Sequence, residues 1–386
     1  MFTRFLRPPS SSAFLLGPRG TGKSTWLHVN FPKDSCVVYD LLDTQLALQF
    51  LRDPGRLFQE CNGLPQNAWV VIDEIQKVPA LLDEVHRLIE NNKIRFILSG
   101  SSARKIRRSG VNLLAGRAME LNLFPLVSKE VDFKLDFPSV LESGMLPMAF
   151  QNKNVGAYLN AYVNTYLSEE IKAEALTRNV GSFSRFLEVA ARQNGQVTSF
   201  SSISRDAQVA RQTVQTYFEV LEDTLIGFWL TAWKLKSATK QIQHPKFYFF
   251  DCGVVRALSA RSSYPLLPEE TGHLLETFVI TEVRAFFKYH GTQYPLHFWS
   301  SYDRVEVDLF FETKNTFWAI EIKSSKRWEP KFNKGFYRLK EEMKQKPLRC
   351  MGVYLGERTL HYGDIPVFPC LHFLKELWKG NLEIVR

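Results

Sequence analysis

The stretch Gly17-Pro18-Arg19-Gly20-Thr21-Gly22-Lys23-Ser24 constrains this chain more than any other, because it matches GxxxxGK[ST] at every position. It follows an apolar run, AFLL (13–16), and opens a segment of helical pattern, Lys23–Asn30, which is the strand–loop–helix setting the motif requires. Such a loop turns its backbone N–H groups inward, and the helix behind it adds the positive end of its dipole, so the segment is suited to phosphates. Lys23 is expected to reach the β- and γ-phosphates of ATP and Ser24 to ligate Mg²⁺, with Gly17 through Gly22 and Thr25 lining the nucleotide. A chance glycine turn ahead of a helix is the plain alternative.

A second element weakens that alternative. WVVIDEIQ sets Asp73 and Glu74 at the end of a buried apolar strand. Asp73 is expected to hold Mg²⁺ through a water, and Glu74 to polarise the attacking water. A protein that binds ATP without hydrolysing it does not need Glu74. The next apolar strand, IRFIL (94–98), runs into Ser99-Gly100-Ser101-Ser102, where Ser101 is the candidate sensor of the γ-phosphate. Arg117, in LLAGR, is either a charge-stabilising arginine or a surface ion pair. Between them Arg104, Lys105, Arg107 and Arg108 form a basic loop, read either as a track for nucleic-acid phosphates or as a solvated loop.

At 386 residues the chain exceeds one hydrophobic core and predicts two or three domains. Apolar strands alternate with amphipathic helices up to Asn122, as in an α/β sheet, and Pro79–Asn91 carries Leu81, Leu82, Val85, Leu88 and Ile89 on one face. Tyr158–Glu170, Phe183–Asn194 and Thr213–Leu225 are helical in period, KFYFF (246–250) reads as a strand, and strands return after Leu266. The boundaries drawn from these shifts are 1–127, 128–264 and 265–386. Five scattered cysteines, none at CxxC spacing, indicate neither a zinc site nor a disulfide framework. With no apolar run long enough for a signal-peptide core or a membrane span, the chain is expected in the cytoplasm and off the membrane. The net charge of +9 favours a polyanionic partner such as DNA, and equally suits a basic solvated surface.

FSSISRDAQVARQTVQTYFEVLED has the rhythm of a helix-turn-helix: Ser202–Ala207, a turn, then Arg211–Glu222 with Val214, Tyr217, Phe218 and Leu221 inward. Arg211, Gln212, Gln215 and Thr216 face outward and are types that contact phosphates and base edges, although such helix pairs also serve as packing units. Further on, Val305–Glu312 and Phe317–Ser324 read as a hairpin. If Glu312 pairs with Phe317, Asp308 lies opposite Glu321, and Lys323 shares their face. Two adjacent carboxylates repel unless a cation joins them, and Mg²⁺ prefers such oxygen ligands. Lys323 would orient a water or steady a phosphate, with Glu276 as a further ligand, which is the outline of a metal-dependent phosphodiesterase site. The same residues also suit the charged face of an edge strand. Downstream, basic residues from Lys326 to Arg349 outnumber the acidic ones, as a nucleic-acid backbone would favour.

In their order and spacing, GPRGTGKST, VVIDEIQKVP, FILSGSSARKIRRSGVNLLAGRA, LEDTLIGF, KFYFFDCGV, GHLLETFV, EVDLFF and AIEIKSS resemble prokaryotic AAA-type ATPases whose C-terminal portion is a domain of unknown function. The likeness spans nearly the whole chain. It implies an α/β P-loop AAA-type ATPase domain, a helical, winged-helix-like middle module, and a C-terminal α/β domain like restriction endonucleases of the PD-(D/E)XK type. On that basis Lys23 and Ser24 match the Walker A pair and Asp73 and Glu74 the Walker B pair. Asp308, Glu321 and Lys323 match D…ExK, with Glu276 as the helix acid; no proline precedes Asp308, which follows Val307. AAA-type cores often form rings, so the resemblance leaves a homo-oligomer open.

Overall fold

The computed structural model describes residues 2–100, 116–174, 180–233, 244–301, 303, 305–314, 316–343, 346–382 and 384. The chain divides into two compact units, one of residues 3–125 and 223–226, the other of residue 2, 126–222 and 227–386.

In the first unit the short apolar runs become strands β1 (Ala13–Leu16), β2 (Val37–Asp40), β3 (Trp69–Asp73), β4 (Arg95–Gly100) and β5 (Met119–Asn122). All pair in parallel in the order β2-β3-β4-β1-β5. Parallel strands joined by helices are covered on both faces, which is why AFLL, WVVI and FIL carry no alternation. The helices are α1 (Lys23–Asn30), α2 (Thr44–Arg52), α3 (Arg56–Cys61) and α4 (Leu81–Asn92). Leu81, Leu82, Val85 and Leu88 of α4 join Val70, Ile72, Phe96 and Leu98 in one core, with Ile89 partly buried against it. The order matters for chemistry: β4 lies between β1, which feeds the glycine loop, and β3, which ends in Asp73.

In the second unit, helices α5 (Phe137–Ser143), α6 (Pro147–Gln151), α7 (Val155–Glu174), α8 (Val180–Arg192), α9 (Phe200–Ala207) and α10 (Arg211–Asp223) precede β6 (Gly227–Ala232) and β7 (Lys246–Phe249). Val214, Tyr217, Phe218 and Leu221 of α10 are buried, and Gln208 takes a left-handed conformation in the turn after α9, so the helix pair forms as the period predicts. The aromatic rings of Phe183, Phe186, Tyr217, Phe218, Trp229 and Phe247 pack edge to face or tilted around it. Then follow α11 (Cys252–Leu258), α12 (Pro268–Tyr289), β8 (Leu296–Ser300), β9 (Glu306–Glu312), β10 (Phe317–Lys323), α13 (Lys334–Glu342), β11 (Leu348–Tyr354), β12 (Leu360–Tyr362), β13 (Ile365–Pro369) and α14 (Cys370–Lys379).

The sequence places a boundary at 264/265, but one sheet runs through it, in the order β12-β13-β11-β10-β9-β8-β6-β7. The reason is in the backbone: Thr231 and Ala232 of β6 pair in parallel with His297 and Phe298 of β8, leaving β6 and β7 no sheet of their own. No helix among the described residues is long and apolar enough to cross a membrane. All five cysteines are free thiols.

Candidate active sites

The glycine loop leaves β1 and enters α1 through Gly22, whose φ of 92° lies in the left-handed region that favours glycine. Lys23 is 6% exposed, and its Nζ donates to the carbonyls of Gly17 at 2.8 Å and Pro18 at 3.2 Å. The next residue, Ser24, donates from Oγ to Asp73 Oδ2 at 2.7 Å. The other oxygen of Asp73 accepts from Ser99 Oγ, and that same Ser99 oxygen accepts the Glu74 backbone N–H at 3.3 Å. The start of α1 and the ends of β3 and β4 thus converge on one carboxylate, because β4 lies between β1 and β3. Glu74 has φ 60° and ψ 44°, a left-handed conformation that costs a side-chain-bearing residue about 1 kcal/mol, and Gln76 Nε2 donates to its carboxylate.

Sequence reasoning missed Ser99 and Arg4. Ser99 is fully buried between the two functional strands, whereas the polar residue chosen from the sequence, Ser101, lies outside the described residues, as do Arg104, Lys105, Arg107 and Arg108. Arg4 holds the loop from behind, donating to Thr21 O and, at 2.6 Å, to Phe124 O. No sequence signal points to it, since its partners are backbone carbonyls far along the chain. Arg117 is ion-paired to Glu90 of α4, which is the surface pairing the sequence left as its second reading.

The second cluster is in the other unit. Phe317↔Glu312 through Ile320↔Leu309 form the register expected for the hairpin. The ladder stops there, because Asp308 Oδ2 accepts the Ile322 N–H at 2.7 Å in place of a backbone partner. Lys323 Nζ lies 3.2 Å from Asp308 Oδ2 and 2.5 Å from Glu321 Oε1, so the cation joining the two carboxylates here is the lysine itself. Glu321 Oε2 is buried with no hydrogen-bond partner. Glu276, expected as a metal ligand, accepts from Tyr248 Oη at 3.0 Å and lies within the electrostatic reach of Asp308, Glu321 and Lys323, although no three His, Cys, Asp or Glu side chains among the described residues form a ready ligand set.

Lys246 of β7, which the sequence did not single out, reaches Glu306 Oε2 at 3.0 Å and is only 5% exposed. Burial works against its charge, but Glu276, Asp308 and Glu306 outweigh that and raise its pKa. Lys323 is raised in the same way, by Asp308 and Glu321 against burial. On the acidic side, burial first and the Asp308 charge second lift Glu276 to about 7 and hold Glu321 well above the usual carboxylate range. Two lysines face four carboxylates: Glu276, Glu306, Asp308 and Glu321. This crowding of acids adds to burial in raising Glu276 and Glu321, and one buried Glu321 oxygen has no hydrogen-bond partner, which leaves it open to a cation.

Residues 10–131 match the family model described as AAA domain, and they contain the whole of the Gly17–Ser24, Asp73–Glu74 and Ser99 arrangement. The chain carries an AAA-type ATPase domain with further domains attached. Two more models match beyond it, both domains of unknown function: DUF8612 over residues 135–264 and DUF4143 over residues 271–373. Uncharacterized proteins of Mycobacterium tuberculosis (Rv2008c) and Mycobacterium bovis (Mb2031c) are each 25% identical over 315 residues, covering 80% of this chain and 69% of theirs. Among solved structures, the Aeropyrum pernix ORC1 protein in complex with DNA matches with a TM-score of 0.25 at 14% identity, over 66% of this chain and 87% of that one. The Bacillus subtilis DNA clamp loader delta protein matches with a TM-score of 0.24 at 11% identity, over 70% and 95%. Scores this low carry no argument.

Proposed function

We propose that this protein binds and hydrolyses ATP at Lys23, Ser24, Asp73 and Glu74 and uses the nucleotide state to control its engagement of DNA. The observation that carries the first half is the shared carboxylate: Asp73 takes Ser24 on one oxygen and Ser99 on the other, with Glu74 next in the chain. Ser24 and Asp73 are suited to hold Mg²⁺, which supplies charge neutralisation at the phosphates. The backbone of Gly17–Gly22 and the start of α1 bind phosphate, Lys23 exchanges its two loop carbonyls for phosphate oxygens, and Thr25 lines the site. Glu74 orients and deprotonates the water, steadied by Gln76, while Ser99 fixes the spacing between Asp73 and the Glu74 backbone.

For the C-terminal unit we read a Mg²⁺-dependent nuclease-like site. Support comes from Asp308 and Glu321 sharing Lys323 while one buried Glu321 oxygen has no partner. Asp308 and Glu321 would hold the ion, and Lys323 would turn from bridging them to orienting a water or a phosphate. The outward Arg211 and Gln212 of α10 are exposed and available to DNA. The other reading, a nucleotide-switched module whose nuclease-like fold is structural, is favoured by Lys323, which already bridges Asp308 and Glu321.

The test measures DNA affinity with ATP, with ADP and without nucleotide, and plasmid cleavage with Mg²⁺ or Mn²⁺. The proposal expects affinity to differ between nucleotides in the wild type and not in Lys23→Ala, and cleavage to be lost in Asp308→Ala but kept in Lys23→Ala. DNA binding without cleavage selects the structural reading. Binding that ignores nucleotide removes the coupling.

A further inference from the structure

Strands β10 and β11 are parallel neighbours, so both leave the sheet at the same edge, one at Lys323 and the other at Tyr354. The turns that follow, 324–329 and 355–360, enclose a cleft of about 470 Å³. Carboxyl ends of parallel strands are where open α/β sheets collect ligands. Three cations line this cleft, Lys326, Arg327 and Arg358, against a single acid, Glu357. All three are exposed, and none is ion-paired with a described residue. Their neighbours differ: Lys331 pairs with Glu329 at 2.8 Å, Lys340 with Asp364 at 2.6 Å and Arg338 with Glu341 at 3.4 Å. This cleft therefore keeps a surplus of positive charge.

The walls are fixed. Trp328 Nε1 donates to Asn333 Oδ1 at 3.0 Å, and Tyr354 Oη donates to the Arg358 carbonyl at 2.6 Å, which holds the turn that carries Arg358. The Leu355 N–H reaches Ser325 O at 3.2 Å and ties the two turns together. A Cβ at Gly352 would lie 2.5 Å from the Trp328 ring, and one at Gly356 2.1 Å from the Tyr354 ring, so both rings seat only because those positions are glycine. Trp328 and Tyr354 are buried and offer no stacking platform. What remains is a rigid frame presenting guanidinium and ammonium donors, which suits phosphodiester oxygens.

We propose that this cleft holds the backbone phosphates of the DNA strand that runs into the Asp308–Glu321–Lys323 cluster. Lys326 stands three residues past Lys323, on the turn that leaves β10. The inference rests on the reading of the C-terminal unit as a DNA-engaging site, and adds where the strand lies.

The experiment is fluorescence anisotropy of a labelled DNA oligonucleotide with the full-length protein over a series of salt concentrations. It compares wild type, Lys326→Ser/Arg327→Ser/Arg358→Ser, and a charge-matched control, Arg7→Ser/Lys33→Ser/Arg52→Ser. Each lost phosphate contact lowers the slope of log affinity against log salt by roughly 0.7–0.9, so the cleft variant, lacking three, should lose roughly 2.1–2.7 from its slope. Its affinity at moderate salt should drop at least tenfold, with thermal stability and ATP affinity unchanged. The control and Arg327→Lys/Arg358→Lys should keep the wild-type slope. If the cleft variant binds DNA with the wild-type slope, the strand lies elsewhere and the inference falls while the DNA reading stands. If the wild type binds no DNA at any salt, both fall.

Discussion

Glu74 is the residue whose geometry says most about chemistry. It stands in a left-handed backbone conformation beside a carboxylate shared by two serines, strain that an ordinary strand end has no reason to carry. Ser99→Ala should keep ATP binding and lower kcat, because Asp73 and the Glu74 backbone both lose their common partner; single-turnover phosphate release separates the two effects. A second residue-scale prediction concerns Glu282. Its carboxylate accepts from Ser128 N at 2.6 Å, Ser128 Oγ at 3.0 Å and Trp378 Nε1 at 2.7 Å, yet burial dominates and lifts its pKa from 4.5 to about 7. The folded state therefore holds that proton more tightly than the unfolded chain, so the contribution is fully present below pH 4.5 and is lost as pH rises to about 7. Urea melts at pH 4.5 and pH 7.5 should show a smaller loss in Glu282→Gln than in wild type, by an amount on the order of 3 kcal/mol. Equal losses would place the proton elsewhere. Lys23, Ser24, Asp73 and Glu74 were legible because a motif fixes their spacing; Ser99, Arg4, Lys246 and Glu282 were not, because their partners are remote in sequence.

At the scale of elements, periodicity and register carried the sequence reading a long way. The inward set of α10 and the Glu312↔Phe317 register of β9 and β10 follow from patterns of 3.6 and 2 residues. What pattern alone cannot show is where a ladder ends. Asp308 ends this one by substituting its carboxylate for a backbone acceptor, and Lys323 then fills the gap between two acids. The weak strand β5, MELN, went unseen because it is a polar, half-exposed edge. Removing the bridging cation leaves two buried carboxylates facing each other, so Lys323→Met should destabilise the C-terminal unit by about 3 kcal/mol. Millimolar Mg²⁺ or Mn²⁺ should restore most of that in a thermal melt if Asp308 and Glu321 hold an ion. Loss without rescue would favour the structural reading of the hairpin.

For the whole molecule, residue pattern predicts three segments, and the backbone joins the last two through one eight-stranded sheet. The composition shift near residue 264 marks a change from helices to strands, and β6 and β7, which precede it, join the sheet built by the strands that follow. Two units with separate cores predict two unfolding transitions, and only the one belonging to residues 3–125 should rise with ATP concentration. A single transition, or both shifting together, would mean the units unfold as one.

Everything proposed for this protein begins with the triphosphate held between Gly17 and Thr25 and cleaved beside Glu74. The most direct measurement is steady-state phosphate release from Mg·ATP by wild type and Glu74→Gln, with ATP affinity measured in parallel by calorimetry. The account predicts that Glu74→Gln binds ATP as tightly as wild type and turns over at least about 100-fold more slowly, as expected when a general base is removed. Undiminished turnover in Glu74→Gln, or a wild-type protein with no affinity for ATP, would contradict it.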